Sequence, residues 1–455
     1  MGETWFHWRI GRMPNVREER TYSFSTRVQG NHREYCQAES SQRSLRSYLY
    51  SGVEENERFG DRLKTKVPVA ISSKEARTCA CEVPDLNHSS GSKCHMEILS
   101  RLLLSSDFDG HQSSTTSTQK QQFQNEIESL DRPSELAPFV ALANTNHVII
   151  RALHRMKTLA IQSGQTAVVN WCDAPLTTEQ SRINSALRNL ETICKTLQAR
   201  GFRVAVIKSL DHWPDLGSDL DLCTIADEGH LQEVMRQEFH ARPVEQSWGD
   251  RLANKWNYSV PGLSELVEIH VGCLGQTGEH SLLARRVLDR AVSRTVGGHT
   301  FQVAAPEEQI IISALQRVYR HFYFRLCDMV DISSLLRTQT VDFDELHRAS
   351  ESAGIWRGVL TFLFLVQKYV TSYGGQVFLP DQLISSASAS NIDVCFENDF
   401  LRVPKATGAV LYAAQLLHAG SRCDIRSLIR LPLLPPLAVS AWLKHEMVGN
   451  DKGIW

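Results

Sequence analysis

The stretch from Val204 to Leu222, VAVIKSLDHWPDLGSDLDL, constrains the fold of this 455-residue chain more than any other. Side chains alternate along a strand, so Asp219 and Asp221 project together while Leu220 and Leu222 point into a core. Like charges on neighbouring same-face positions repel unless a cation sits between them. The run FRVAVIK ahead of them is β-branched and of strand length, and SLDHWPDLG between the two is rich in turn residues. Two strands joined by such a loop, with acid opening the second, place this part of the chain in the α/β class.

A third carboxylate lies downstream in Leu266-Val-Glu-Ile-His-Val271. Here Val267, Ile269 and Val271 take one face, and Glu268 and His270 take the other. Each acid alone reads as an ordinary solvated strand residue. Two alternating strands that both present acid on one face favour a site, with Glu268 completing a trio if the strands are neighbours. Magnesium prefers hard oxygen ligands, and a paired-carboxylate strand accommodates two such ions roughly 3.5–4 Å apart.

The rest of the chain divides by texture. Residues 1–133 mix charged runs with Ser/Thr/Gln-rich sequence and show little periodicity beyond Met96–Leu104, which predicts a largely disordered amino-terminal third. Residues 134–305 form the expected α/β domain, with leading helices and a helix ending at Gly201. Residues 306–445 read as a helical domain opened by Pro306, and 446–455 as a tail. A folded core beginning near Ser134 is the expectation.

The pattern resembles the DNA polymerase β-like nucleotidyltransferase superfamily: a hydrophobic residue, Gly, Gly or Ser, a spacer, then alternating acids and hydrophobics. Ile207, Lys208 and Ser209 stand in the first part, and Asp219-Leu-Asp221-Leu completes it. More narrowly, the chain is similar to an uncharacterised bacterial nucleotidyltransferase-like family with Lys-Gly after the first strand and carboxylate-hydrophobic-His on a later one. Asp331, before Ile-Ser-Ser-Leu-Leu, matches that family's closing helix. The likeness spans about residues 134–372. It departs at Ser209, where the family has Gly, although Gly217-Ser218 precede the acids.

The resemblance implies transfer of a nucleoside monophosphate from a nucleoside triphosphate to an acceptor, with release of pyrophosphate. It assigns Asp219, Asp221 and Glu268 to catalysis and to two Mg²⁺ ions. Lys208, Ser209, Gly217 and Ser218 fall to the nucleotide, and His270 and Asp331 to accessory roles. The acceptor is open: a small molecule, a peptide, a protein or tRNA. The alternative is a non-catalytic member that binds a nucleotide or a partner. A haloacid-dehalogenase-type phosphatase is disfavoured because Cys223 stands where it has Thr or Val. A glycosyltransferase is disfavoured because its acid pair closes a strand, whereas these acids open one.

Composition narrows the setting. A net charge of −2 argues against a coat for nucleic acid. Eleven cysteines without regular spacing or a secretory leader suggest reduced thiols and a cytoplasmic protein, and no apolar run is long enough for a membrane helix. Cys79, Cys81, His88, Cys94 and His95 cluster in sequence, but their gaps differ from those of a zinc knuckle and favour thiols in a loop. His212, His321 and His347 read as surface residues, and Arg317, Arg320 and Arg325 as near a nucleotide or on a solvated helix face.

Overall fold

The computed structural model describes residues 89–105, 133–383, 392–437 and 439–440. All belong to one compact unit, Cys79–Trp455; a separate unit, Met1–Thr78, lies wholly outside the described residues. The sheet is preceded by helices α1 (Ser89–Leu104), α2 (Pro133–Thr145), α3 (Ile149–Gln162) and α4 (Thr166–Ala199). The apolar period that continues from Ser134 past Leu153 is broken at Asn146–Val148, where His147 takes a left-handed φ of 53°. Asn146 stabilises that break: its side-chain amide donates to Leu142 O and its Oδ1 accepts from Leu326 N. Helix α4 continues unbroken through Pro175.

Next come β1 (Val204–Val206), β2 (Asp219–Thr224), α5 (Glu228–Phe239), β3 (Arg242–Pro243), α6 (Trp248–Leu252), β4 (Lys255–Ser259) and β5 (Leu266–Val271). They are followed by α7 (Ser281–Asp289), β6 (Val292–Val296) and β7 (His299–Val303). The strands make one seven-stranded sheet in the order β3-β4-β5-β2-β1-β7-β6. The β2/β5 and β1/β7 pairs are parallel and the others antiparallel, so the sheet is mixed. The β6–β7 hairpin was not read from sequence, although Gly297-Gly298, both at positive φ, supply the two-residue turn that such a hairpin needs. Leu220, Leu222, Val267 and Ile269 are fully buried on the core face, with α7 packed against β2.

The carboxyl-terminal region is helical: α8 (Pro306–Ala314), α9 (Leu326–Thr338), α10 (Phe343–Ser352), α11 (Trp356–Ser372), α12 (Lys405–Ser421) and α13 (Ile425–Arg430). Helix α8 runs on as a π-helical segment, Leu315–His321, and stops at Phe322, whose φ is 55°. A small antiparallel sheet of β8 (Tyr323–Phe324), β9 (Cys395–Glu397) and β10 (Phe400–Arg402) lies within this region. Among the described residues no helix is long and apolar enough to cross a membrane.

Helix α1 lies on the amino-terminal side of the boundary expected at residue 133, yet it is part of the core. Met96, Ile98, Leu99, Leu102 and Leu104 are buried, and the helix packs on α2, α3 and α9. Ser100 Oγ and Tyr369 Oη, 2.7 Å apart, tie it to α11. Its apolar period is short and flanked by polar sequence, so the stretch looks too weak to fold alone; tertiary packing supplies what local pattern does not. Cys94 and His95 lie on this helix rather than in a loop, with the His95 ring edge-on to Phe139. Residues 1–88 and 106–132, including Cys79, Cys81 and His88, lie outside the described residues, as does the expected tail.

Helix α1 therefore sets where the chain can be shortened from its amino terminus. Burying five large apolar side chains is worth roughly 1.5–3 kcal/mol each, together comparable to the whole stability of a typical domain. A chain beginning at Ser89 is expected to melt like the full protein. A chain beginning at Pro133 is expected to melt more than about 10 °C lower or to lose cooperativity. Equal melting of the two by circular dichroism would remove α1 from the folding unit.

Candidate active site

The parallel register of β2 and β5 sets Asp221 beside Glu268 and Asp219 beside Leu266. The acid faces of the two strands therefore coincide, as the alternation requires if they are neighbours. Ligand atoms of Asp221, Glu268 and His270 all lie within 4.8 Å of one another, and these residues are buried. Asp219 stands at the strand's first position on the same face, half-buried, accepting a hydrogen bond from Ser218 Oγ at 3.3 Å.

Two lysines meet these acids. Lys208 Nζ lies 2.6 Å from Asp221 Oδ1, 3.4 Å from Glu268 Oε1 and 3.3 Å from His270 Nε2. Lys255 Nζ, buried, bridges Glu268 Oε2 at 2.8 Å and Asp250 Oδ1 at 2.7 Å. His270 Nε2 lies 3.0 Å from Glu268 Oε1. Burial alone would raise the Glu268 carboxyl, but Lys208, Lys255 and His270 hold it well below the usual range. Burial would likewise lower Lys208, and the charges of Asp221 and Glu268 raise it instead. Among the described residues no ion pair forms at Asp219, which burial and then the Asp221 and Glu268 charges push up to about 6.

The turn after β1 carries Lys208 in a left-handed conformation, φ 60°, with Ser209 N donating to Ile207 O across it at 2.6 Å. Such a γ-turn is strained for a residue with a Cβ, and strain of this kind concentrates at functional sites. The structure thus places the special backbone at Lys208 and not at Ser209, so the Ser in place of Gly needs no unusual φ. The Ser209 hydroxyl is buried, accepts from Asp221 N at 2.7 Å and donates to Asp219 O at 3.1 Å. It fastens the turn to the acid strand.

The loop before the acids is anchored from the helices. Asp215, fully buried, accepts from Ile150 N and from Arg151 Nε at 2.6 Å, capping α3, whose own N-cap residue Val148 offers no side-chain acceptor. Arg182 of α4 donates to Leu216 O and Gly217 O and pairs with Glu265. Gly217 is buried against the His147 ring, where a Cβ would come within 3.0 Å of Cε1. Asp331 lies apart from the acid trio, paired with Arg151 and with His212 Nδ1 at 2.5 Å. His212 is correspondingly buried, not a surface residue. Arg317 is 2% exposed and paired with Asp328 at 2.7 Å, so neither a solvated face nor a nucleotide contact describes it here.

Lys255 and Asp250 were missed in the sequence, whereas Arg320 was read as near a nucleotide or on a solvated helix face. In the antiparallel β4/β5 ladder Lys255 faces His270 and Asn257 faces Glu268, so Lys-x-Asn-x-Ser was an available polar alternation. Ser247-x-x-Asp250 is a capping box, in which Asp250 Oδ2 accepts from Ser247 N while Oδ1 meets Lys255. Arg320, on the π-helical segment, reaches to 4.0 Å from Asp250.

A mixed sheet that presents acids from two parallel neighbours beside a lysine-bearing turn defines a nucleotidyltransferase-like protein. The chain belongs to the uncharacterised nucleotidyltransferase family, whose profile matches residues 133–371. A solved structure of an antigenic nucleotidyltransferase-like protein from Paracoccidioides brasiliensis is similar at 15% identity, with a TM-score of 0.31 over 44% of this chain and 97% of the other. No curated protein matches the chain.

Two outcomes follow from these charges. The folded Asp219 pKa of about 6 lies above its ordinary 3.8, so the folded state binds this proton more tightly and loses stability as pH rises through that window. Without added metal, Asp219→Asn is expected to melt above wild type at about pH 7.5, the difference fading below about pH 4. A variant less stable at every pH would make Asp219 structural. Lys255→Met is expected to destabilise by about 3–5 kcal/mol in denaturant melts, since it strands two buried carboxylates; a change under about 1 kcal/mol would deny the bridge.

Proposed function

We propose that the chain transfers a nucleoside monophosphate from a nucleoside triphosphate to an acceptor hydroxyl or amine. The acceptor's bond to the α-phosphorus forms as the bond to pyrophosphate breaks, and the acceptor's proton is taken up at a carboxylate. The observation that supports this best is the juxtaposition of Asp219, Asp221 and Glu268 on two parallel neighbours, with Asp219 lacking a cation of its own.

The residues suit a divalent cation. Their donors are hard oxygens with an imidazole beside them, and among the described residues His270 Nδ1 and Asn257 Oδ1 are buried without a hydrogen-bonding partner. Asp219, Asp221 and Glu268 would hold two Mg²⁺ ions, which neutralise charge on the transferring phosphoryl group. Lys208 has a second role: its ammonium shields Asp221 and Glu268 in the free protein and turns to the phosphates when nucleotide arrives. Ser209 keeps the turn on the strand, and Gly217 and Ser218 shape the loop into the acid face. His270 orients Glu268. Asp331 acts at a distance through the Arg151–Asp215 anchor of the loop.

One observation favours a second reading, a nucleotide-binding module without turnover. Lys208 and Lys255 already lie 2.6 and 2.8 Å from carboxylates, so the site is partly neutralised from within. Labelled triphosphates separate the two. With cell extract as the acceptor source and Asp221→Asn as the blank, α label is expected in an acceptor and γ label only in pyrophosphate. Transfer of γ label to the acceptor would overturn the reaction. Thermal stabilisation by nucleotide with no label transfer would establish the binding module.

A further inference from the structure

A second convergence of donor atoms lies away from the acids. His147 from the α2–α3 turn, His212 from the β1–β2 loop and Cys327 from the first turn of α9 each offer one ligand atom, and these atoms all lie within 4.8 Å of one another. The two rings meet edge to face with centroids 5.5 Å apart. Three separate elements thus deliver two imidazoles and a thiol to one point, a donor set that hydrophobic packing alone does not call for.

Two features point to a ligand there. His212 Nδ1 is taken by Asp331 Oδ2 at 2.5 Å, and Arg151 holds that carboxylate from the other side. A histidine whose far nitrogen is fixed by a carboxylate presents Nε2 as a ligand, the arrangement typical of metal-bound imidazoles. Among the described residues His147 Nδ1 is buried and has no hydrogen-bonding partner. The ring is held by left-handed backbone at φ 53° and by the absence of a Cβ at Gly217. Strained backbone and a close glycine approach together position that nitrogen.

We propose that His147, His212 and Cys327 form a binding site for a divalent transition cation of borderline softness, zinc before others, with Asp331 as the positioning carboxylate. Two neutral imidazoles and one thiolate suit tetrahedral zinc with its fourth position open. Binding converts the Cys327 thiol to thiolate and releases its proton. Because the site joins the turn before α3, the loop that leads to Asp219 and the start of α9, its occupancy would brace the acid-bearing loop against the helical region.

Cobalt titration of the full, reduced and metal-stripped chain tests this, because a thiolate–cobalt charge-transfer band reports the sulfur ligand and ignores carboxylate sites. One equivalent of Co²⁺ is expected to develop that band, with visible absorption of four-coordinate intensity, and Zn²⁺ is expected to displace it. Cys327→Ser is expected to abolish the Zn²⁺-sensitive band. His147→Asn, which tolerates the left-handed φ and keeps the site testable if the cysteine variant fails to fold, is expected to weaken Co²⁺ at least about tenfold. A band that persists in Cys327→Ser, an affinity unchanged in His147→Asn, or no band in wild type would each overturn the site.

Discussion

Everything at the acid face depends on one pairing, that of β2 with β5 in parallel register. It sets Asp221 beside Glu268 and so buries like charges next to each other, an arrangement that destabilises the fold unless cations are supplied. The chain supplies them from two directions: Lys208 from the turn after β1 and Lys255 from the antiparallel neighbour on the far side of β5. The lysines offset the repulsion between the two carboxylates and, with His270, hold the Glu268 carboxyl well below its usual range. Asp219, at the strand's opening, makes no direct contact with either lysine, and burial, then the charges of Asp221 and Glu268, raise its pKa.

The loop between the two strands is where precision is imposed. Its γ-turn aims Lys208, its serine hydroxyl clasps the acid strand, and its far end is held by Arg151 through Asp215 and by Arg182 through the carbonyls of Leu216 and Gly217. A long loop fixed at several points by buried, charge-assisted bonds behaves as a rigid element. The helices ahead of the sheet are therefore part of the site's scaffold, and α1 belongs with them because it covers α2 and α3.

The acid trio was legible because alternation in a strand is a strong rule and both acid strands obey it. The trio was read on the condition that the two strands are neighbours; the structure pairs β2 with β5, and the parallel sense of that pair was not read from sequence. What escaped was what local pattern does not encode. Lys255 opens a strand, β4, that no acid marks, and Asp250 is hidden in a cap. Helix α1 has too short a period to declare itself without its partners. Asp331 was placed on the correct helix, but its partners Arg151 and His212 come from distant sequence, and only the packed structure brings them together. His212 and Arg317 were misplaced toward the surface for the same reason: ordinary polar residues in a helix or loop reveal their burial only through the carboxylates that meet them.

In the proposed reaction the carboxylates take up divalent cations when a nucleotide draws Lys208 away. Counting Mn²⁺ by electron paramagnetic resonance, with and without a non-hydrolysable triphosphate, tests this most directly. Nucleotide-dependent uptake of Mn²⁺ by wild type, lost in Asp221→Asn, is expected. Nucleotide bound without Mn²⁺, or equal uptake by Asp221→Asn, would contradict it.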